Sequence, residues 1–270
     1  MQQRVVLVTG ASSGFGKACA ELLSENGYLV YGASRNPDLD ASTSNLRPLA
    51  MDVRNDTSVN NAVQEILQCH SRLDVLINCA GNGYAGAVEE MSMVEYQSQF
   101  DTNFFGAVRT TKAVLPQMRK QRSGMIVNIS SIGGVVGLPF QSAYSASKFA
   151  LEGFTESLRI EMRPFNVKAT LVQPGDFRTG FTDNRLFCAE NSPESAYYAA
   201  SQRAIAVTIA GEAKGPPPQQ LATKLLSIIE AESPAVRYTA GPFMQRVAAK
   251  VKPVMPGRLF EYLIADEFDQ

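Results

Sequence analysis

The chain of 270 residues has few of the side chains that build metal sites, disulfide frameworks or membrane anchors. The only histidine, His70, argues against a His-rich metal site. The four cysteines show no Cys-x-x-Cys spacing, which favours reduced thiols. No apolar run is long enough to cross a membrane, and no signal peptide precedes the first predicted strand. A net charge of −1 without a basic patch disfavours nucleic acid as a partner. These absences predict a cytoplasmic globular protein without a metal.

Short apolar runs alternate with amphipathic helical patterns along the chain. Seven strands are predicted, at residues 5–9, 29–33, 48–53, 73–78, 125–130, 167–172 and 236–240. Helices are predicted between them, at residues 16–26, 58–69, 94–119 and 143–162, with a possible bend at Pro116. This order predicts an α/β fold with a single-domain, Rossmann-type, doubly wound parallel sheet and helices on both faces. Ligands of such sheets bind beyond the carboxyl ends of the strands.

A glycine-rich turn joins the first predicted strand to the first helix. Gly10, Gly14 and Gly16 allow a tight turn and close approach of the backbone to a pyrophosphate at the helix N-terminus. Their spacing, Gly-x-x-x-Gly-x-Gly, differs from the commoner dinucleotide fingerprint. The same residues also fit Gly-x-Ser-x-Gly, the nucleophile elbow of α/β-hydrolases. That enzyme class needs a histidine late in the chain, and His70 lies too early.

The end of the second predicted strand carries information about the nucleotide. Enzymes that use NAD usually place a carboxylate there to bind the ribose 2′-hydroxyl. Here the strand ends in Ser34 and Arg35, so a cation is offered where a 2′-phosphate would lie. Ser12 and Ser13 add hydroxyl donors from the glycine turn. The sequence therefore favours NADP(H) over NAD(H).

Tyr144 and Lys148 lie four residues apart in a predicted helix, and so on one helix face. In a cleft, the ammonium would favour the phenolate and lower a pKa that starts near about 10. The phenol would then act as a general acid or base near neutral pH. The spacing alone also fits a surface pair worth roughly 0.2–0.5 kcal/mol.

Further motifs make the chain resemble the short-chain dehydrogenase/reductase family. Asp52-Val53 resembles the family's adenine-contacting pair, and Asn78-Cys79-Ala80-Gly81 resembles its Asn-Asn-Ala-Gly motif, with Cys79 in place of the second asparagine. Ser131 stands thirteen residues before Tyr144, as the family's catalytic serine does. Asn103, Pro174-Gly175 and Thr179 also match. Residues 137–153 are similar to the branch of hydroxysteroid (17β) and retinol dehydrogenases.

The resemblance implies hydride transfer between a nicotinamide and an alcohol or carbonyl carbon. It assigns proton transfer to Tyr144, orientation of the carbonyl to Ser131, ribose binding to Lys148 and a water-mediated proton relay to Asn103. The expected cofactor contacts are Gly10, Ser12, Ser13, Gly14, Phe15, Gly16, Arg35, Asp52, Val53, Asn78, Ala80, Gly81, Tyr144, Lys148, Pro174, Gly175 and Thr179. It also implies a homodimer or homotetramer formed through the two central helices.

A hydrophobic carbonyl or alcohol, steroid-, retinoid- or lipid-like, is the expected substrate. Its contacts are predicted at Ser131, Leu138, Phe140, Tyr144 and Phe181, and further aromatic residues, Phe177, Phe187, Tyr197 and Tyr198, suit an apolar pocket. Residues 1–241 are expected to form the NADP-binding catalytic domain, with a weakly patterned lid over 177–218. Helices at 243–251 and 257–264, within the extension 242–270, would cover the substrate mouth or pack at a subunit interface. A non-catalytic NADP-binding redox sensor and an epimerase on the same scaffold are the alternatives.

Overall fold

The computed structural model of the protein describes residues 3–270, so the first two residues of the predicted domain 1–241 lie outside it. Nine strands are present among these residues: β1 Val5–Thr9, β2 Leu29–Ser34, β3 Leu46–Ala50, β4 Val75–Asn78, β5 Tyr84–Ala85, β6 Gly124–Ile129, β7 Val167–Pro174, β8 Leu186–Phe187 and β9 Arg237–Ala240. Seven form one sheet in the order β3-β2-β1-β4-β6-β7-β9, and all of its pairs are parallel. β5 and β8 pair separately.

Helices cover both faces of the central sheet. They are α1 Gly14–Glu25, α2 Asp56–His70, α3 Met93–Phe100, α4 Gly106–Gln121, α5 Ser142–Glu161, α6 Tyr198–Lys214, α7 Pro218–Glu230, α8 Phe243–Val251 and α9 Gly257–Glu267. One buried apolar cluster contains Ile66, Val114 and Leu158 from α2, α4 and α5. A second contains Leu23 and Leu225 from α1 and α7. The predicted doubly wound, Rossmann-type sheet is thus confirmed.

The strand sequences follow from burial on both faces. Every residue of β1 and of β4 is buried, which is why these strands are continuous apolar runs rather than alternating patterns. In the helices, by contrast, apolar residues recur with a 3.6-residue period and form one buried face. In α7 this face contains Leu221, Leu225 and Ile228. Pro218 opens α7 at a position where its missing N–H costs nothing.

The third strand and the central helix differ from the prediction. β3 spans Leu46–Ala50 rather than 48–53, with Pro48 in its interior. A proline fits there because β3 is the edge strand of the sheet, where a backbone N–H is dispensable. The helix predicted over 94–119 is two helices, joined by a π-helical turn over Asp101–Phe105. The interruption therefore lies at Asn103, and Pro116 lies inside α4.

The segment predicted as a weakly patterned lid, 177–218, contains more regular structure than expected. It holds β8 and the helix α6, and α7 follows directly. The buried residues of α6 are Ser201, Ala204, Ile205 and Glu212, two of which are polar or charged. A helix that buries so few large apolar side chains has no clear hydrophobic period, so its sequence does not reveal it.

Within residues 3–270, none of the helices has the length and apolar character needed to cross a membrane.

Candidate active site

A cavity of about 1330 Å³ opens where the strand order of the sheet reverses, between β1 and β4. Most of the predicted site residues line it. These are Gly10, Ser12, Ser13, Gly14, Phe15, Gly16, Arg35, Asp52, Val53, Ala80, Gly81, Ser131, Leu138, Tyr144, Lys148, Pro174, Gly175, Thr179 and Phe181. They come from the carboxyl ends of six strands (β1 to β4, β6 and β7), from the loops that follow and from α1 and α5, as expected for the switch point of a doubly wound sheet.

The glycine turn between β1 and α1 is shaped by close backbone contacts. Gly10 and Gly14 have φ of +69° and +52°, a conformation that favours glycine. A Cβ on Gly16 would lie 2.2 Å from the carbonyl oxygen of Gly10. The N-cap residue Ser13 makes no side-chain hydrogen bond to the helix. The first turn of α1 therefore presents free N–H groups to the cavity, and the turn fits a pyrophosphate.

Two exposed arginines line the cavity beyond the carboxyl ends of β2 and β3. Arg35 follows the last residue of β2, and Arg54 lies in the loop after β3. Arg54 contacts the carboxylate of Asp52 at 2.8 Å, and this hydrogen bond lowers the pKa of Asp52. The charge of Arg35 acts on Asp52 in the same direction. This end of the cavity therefore has two cations and one carboxylate, and the carboxylate is paired with Arg54.

Lys148 is buried on α5, with 6% of its surface exposed. Its Nζ donates a hydrogen bond of 2.8 Å to the carbonyl oxygen of Ile129, at the end of β6. Desolvation lowers the pKa of Lys148 to about 8. A side-chain ammonium that titrates this near neutral pH is able to release and recover a proton under ordinary conditions.

Asn103 lies in the π-helical turn and is 1% exposed. Its Nδ2 donates to the carbonyl oxygen of Asn82 at 2.9 Å and to Ser147 Oγ at 3.2 Å, while its Oδ1 accepts from the N–H of Asn82. The amide is thus used to hold the loop after β4 against α5. Asn103 does not line the cavity, and only one lone pair of Oδ1 remains for a water of the predicted relay.

Tyr144 is half-buried on α5, and its ring lies 5.9 Å from Lys148 Nζ. The expectation that Lys148 lowers the pKa of Tyr144 does not hold in this structure. Burial raises the pKa of Tyr144 to about 12, because desolvation outweighs a hydrogen bond with Ser131. Among charged groups, Glu212, Arg185 and Asp176 act on the phenol. Lys148 is instead directed at the Ile129 carbonyl.

Two other predicted contacts lie outside the cavity. Asn78 is buried in β4, where it donates to Asn128 at 2.8 Å and accepts from Thr110 at 2.6 Å, so it joins the sheet to α4. Phe140 is a turn residue with φ of +57°, and its carbonyl accepts from the N–H of Gly86. Of the lid aromatics, Phe177 and Phe181 line the cavity, whereas Phe187 and Tyr197 are exposed to solvent.

Several lining residues were not predicted. Arg54, Cys79, Asn82, Gln141, Asp176 and Glu212 face the cavity, as do apolar residues of the C-terminal helices, namely Met244, Val247, Ala248, Val251, Met255, Phe260, Leu263 and Ile264. The residues of the C-terminal helices could have been found from the helical apolar pattern of 243–251 and 257–264. That pattern was interpreted either as a cover for the substrate mouth or as a subunit interface. Burial raises the pKa of the Cys79 thiol to about 12, so this thiol is neutral.

Comparison with known proteins points in one direction. Residues 4–186 match the family model for short chain dehydrogenases. A 3-ketodihydrosphingosine reductase from Bacteroides thetaiotaomicron is 46% identical over 98% of this chain and 97% of its own length. Human retinol dehydrogenase 8 is 42% identical over 68% of this chain and 62% of its own length. The crystal structure of a short-chain dehydrogenase from Streptomyces avermitilis is 33% identical, with a TM-score of 0.81 and coverage of 94% and 96%.

Two further solved structures carry a nicotinamide cofactor. A short-chain dehydrogenase/reductase from Burkholderia phymatum, in complex with NAD, is 25% identical, with a TM-score of 0.75 and coverage of 87% and 89%. A metagenomic short-chain oxidoreductase, in complex with NADP, is 25% identical, with a TM-score of 0.69 and coverage of 88% and 96%. Because the glycine turn here fits a pyrophosphate, these likenesses support a nicotinamide cofactor. One of the two structures contains NAD and the other NADP, so they do not distinguish between the two cofactors.

The buried ammonium of Lys148 makes stability depend on pH. Its pKa is about 8 in the folded chain, against a usual value of 10.5. Between these values the unfolded chain holds the proton and the folded chain does not, so the stability contribution of Lys148 is lowest below pH 8 and rises with pH. The unfolding free energy of the wild type minus that of Lys148→Met is therefore expected to rise by roughly 2 kcal/mol from pH 7 to pH 9.5. Urea denaturation at both pH values measures it.

A difference that stays constant, or falls, over this range would show that the ammonium is not desolvated.

Proposed function

This chain belongs to the short-chain dehydrogenase/reductase family and is an oxidoreductase, and we propose that it reduces a hydrophobic ketone with NADPH. The observation that carries the proposal is the convergence of Tyr144, Ser131 and Lys148 on one cavity that also contains the glycine turn. For a carbonyl reduction the protein must provide a proton donor, a group that orients the carbonyl and a cofactor site.

Tyr144 is proposed to be the acid. A phenol with a pKa of about 12 stays protonated at neutral pH, which suits a donor to the carbonyl oxygen of a ketone. Ser131 Oγ accepts from the N–H of Gly133 at 3.0 Å, which fixes it beside Tyr144 to bind the same oxygen. Lys148, with a pKa of about 8, is proposed to return the proton to the site. The nicotinamide, when bound, supplies the hydride.

The reductive direction is part of the proposal. An alcohol oxidation would need Tyr144 as a phenolate, and burial opposes that charge. Glu212 and Asp176 oppose it further, while Arg185 acts in the opposite direction. At neutral pH the phenol is therefore in the protonated form that a ketone reduction needs.

The preference for NADPH is proposed from the two arginines that follow β2 and β3. Arg35 and Arg54 both line the cavity, and the end of β2 has no carboxylate to bind a ribose 2′-hydroxyl. Ser12 and Ser13 are exposed and line the same cavity. Arg54 is paired with Asp52, so Arg35 is the cation that would bind a 2′-phosphate, with the two hydroxyl groups as further donors.

A long-chain ketone of the sphingoid type is the proposed substrate. The relative from Bacteroides thetaiotaomicron, 46% identical over almost the whole chain, is named for reduction of 3-ketodihydrosphingosine. The apolar residues that α8 and α9 place along the cavity suit an alkyl chain. The redox-sensor alternative does not account for the gathering of Tyr144, Ser131 and Lys148, and an epimerase for nucleotide sugars would not need this apolar wall.

Replacing Tyr144 by phenylalanine is expected to lower kcat for ketone reduction by at least about 100-fold, because the proton donor is lost. The Kd for NADPH, measured by fluorescence titration, is expected to stay within about 3-fold of the wild type, since the phenol oxygen is the only group removed. Tyr262→Phe makes the same change on an exposed side chain of α9 and serves as the control. Full turnover by Tyr144→Phe would exclude the proposed acid.

Replacing Arg35 by alanine is expected to lower kcat/KM for NADPH by about 10- to 100-fold, the effect of losing one charge-assisted hydrogen bond to a phosphate. The value for NADH should change far less, because NADH has no 2′-phosphate. Steady-state rates with both cofactors test this, with Arg119→Ala on the exposed side of α4 as the matched control. Equal losses with both cofactors, or a wild type that prefers NADH, would contradict the assignment.

A further inference from the structure

The wall of the cavity beyond Tyr144 contains two carboxylates, Asp176 and Glu212. Asp176 follows Pro174-Gly175 at the end of β7, and Glu212 lies near the end of α6. Both line the same cavity as Tyr144 and Ser131. The ring of Tyr144 packs against Phe181 at 5.6 Å, and Arg185, the partner of Glu212, lies over the same Phe181 ring. A Cβ on Gly211, next to Glu212, would lie 2.2 Å from Asp176 Oδ2, so both carboxylates lie in the part of the molecule around Tyr144.

Glu212 already has a cationic partner. Its Oε1 accepts from Arg185 Nη2 at 2.6 Å, and Thr182 donates to its Oε2. The Arg185 side chain is 2% exposed and packs over the Phe181 ring at 5.9 Å. The pair is therefore neutral as a unit, although Nε and Nη1 of Arg185 are buried without a hydrogen-bond partner among residues 3–270. Of the two side chains, only Glu212 lines the cavity.

Asp176 has no such partner. Its Oδ2 accepts from the amide Nε2 of Gln245 at 2.5 Å, and no lysine or arginine of residues 3–270 lies within 4.0 Å of its carboxylate. Asp176 is half-buried, and burial raises its pKa. Removing a carboxylate from water without pairing it with a cation costs free energy. Such a group in a substrate cavity is therefore suited to a positively charged ligand.

A second polar group in the same cavity has an acceptor atom available. Gln141, one helical turn before Tyr144, lines the cavity. Its Nε2 donates to Thr208 Oγ1 at 3.3 Å, while its Oε1 makes no hydrogen bond to any of residues 3–270. This oxygen is accessible from the cavity rather than enclosed by protein, so it is able to accept a hydrogen bond from a donor on the substrate.

We propose that Asp176 binds an ammonium group on the substrate, next to the carbonyl that is reduced, and that Gln141 accepts a hydrogen bond from a neighbouring donor. The substrate class is then a long-chain α-amino ketone rather than a neutral steroid or retinoid. This assignment rests on the proposed function, because it takes Tyr144 as the reacting end of the cavity. Asp176 is a specificity residue in this scheme and takes no part in proton transfer.

The structural fit extends along the whole molecule of such a substrate. The alkyl chain would follow the apolar wall provided by Val247, Val251, Phe260 and Ile264. The carbonyl would meet Tyr144 and Ser131, and the ammonium would meet Asp176. A retinoid or steroid would fill the apolar part and leave Asp176 and Gln141 without partners, at the cost of two unsatisfied polar groups.

The test compares two ketones that differ only in the amine: 2-amino-1-hydroxydodecan-3-one and 1-hydroxydodecan-3-one, each assayed with NADPH. The wild type is expected to show a kcat/KM at least about 10-fold higher for the amino ketone. Asp176→Asn should reduce this ratio by about 10- to 100-fold, chiefly through KM. Asp183→Asn, the same change on an exposed side chain of the same segment that does not line the cavity, should leave the ratio unaltered.

The outcomes separate the two proposals. A wild type that reduces neither ketone contradicts the proposed function itself. A wild type that reduces both equally, or an unchanged ratio in Asp176→Asn, overturns the ammonium site while leaving the reductase intact. If Asp176→Asn does not fold, inhibition of the wild type decides: 2-aminododecan-1-ol should inhibit at least about 10-fold more strongly than dodecane-1,2-diol, and equal inhibition overturns the assignment.

Discussion

At the ends of β1 and β4 the two backbones approach so closely that Gly10 has no room for a side chain, since a Cβ there would lie 2.8 Å from Ala80 Cα. Thr9 fixes this approach, because its Oγ1 accepts from the N–H groups of both Cys79 and Ala80 at 3.0 Å. The position of α1 and of the loop after β4 follows from that contact. So does the cavity, which opens between them at the reversal of strand order.

From this contact the site is built outward through buried polar groups. The loop after β4 is held by Asn103, which in turn contacts Ser147 on α5. The same helix carries Tyr144 and Lys148. The π-helical turn at Asn103 breaks an otherwise continuous helix. It places the Asn103 amide where its three hydrogen bonds connect the loop after β4 to α5. Desolvation then sets the chemistry, because it raises the pKa of the phenol and lowers that of the ammonium.

Much of the fold was predictable because buried parallel strands have continuous apolar sequences, and the predicted β1 matches the structure residue for residue. β3 was misplaced because an edge strand tolerates Pro48. The helix α6 was missed because it buries few apolar residues. In the site, residue spacing identified Tyr144 and Lys148, but spacing carries no information on burial. The predicted lowering of the pKa of Tyr144 was therefore wrong, because burial raises it. Asp176 follows a recognisable motif, yet only three-dimensional packing shows that it has no cationic partner.

Every role proposed for the cavity depends on hydride reaching a ketone carbon beside Tyr144. The most direct measurement uses NADPH labelled with deuterium at one or the other C4 position, together with a long-chain amino ketone. Mass spectrometry and NMR locate the label in the product. One of the two labelled cofactors is expected to give an alcohol with one deuterium on the carbinol carbon, and the other an unlabelled alcohol. NADPH that binds the protein but transfers deuterium from neither position to a ketone would contradict this expectation.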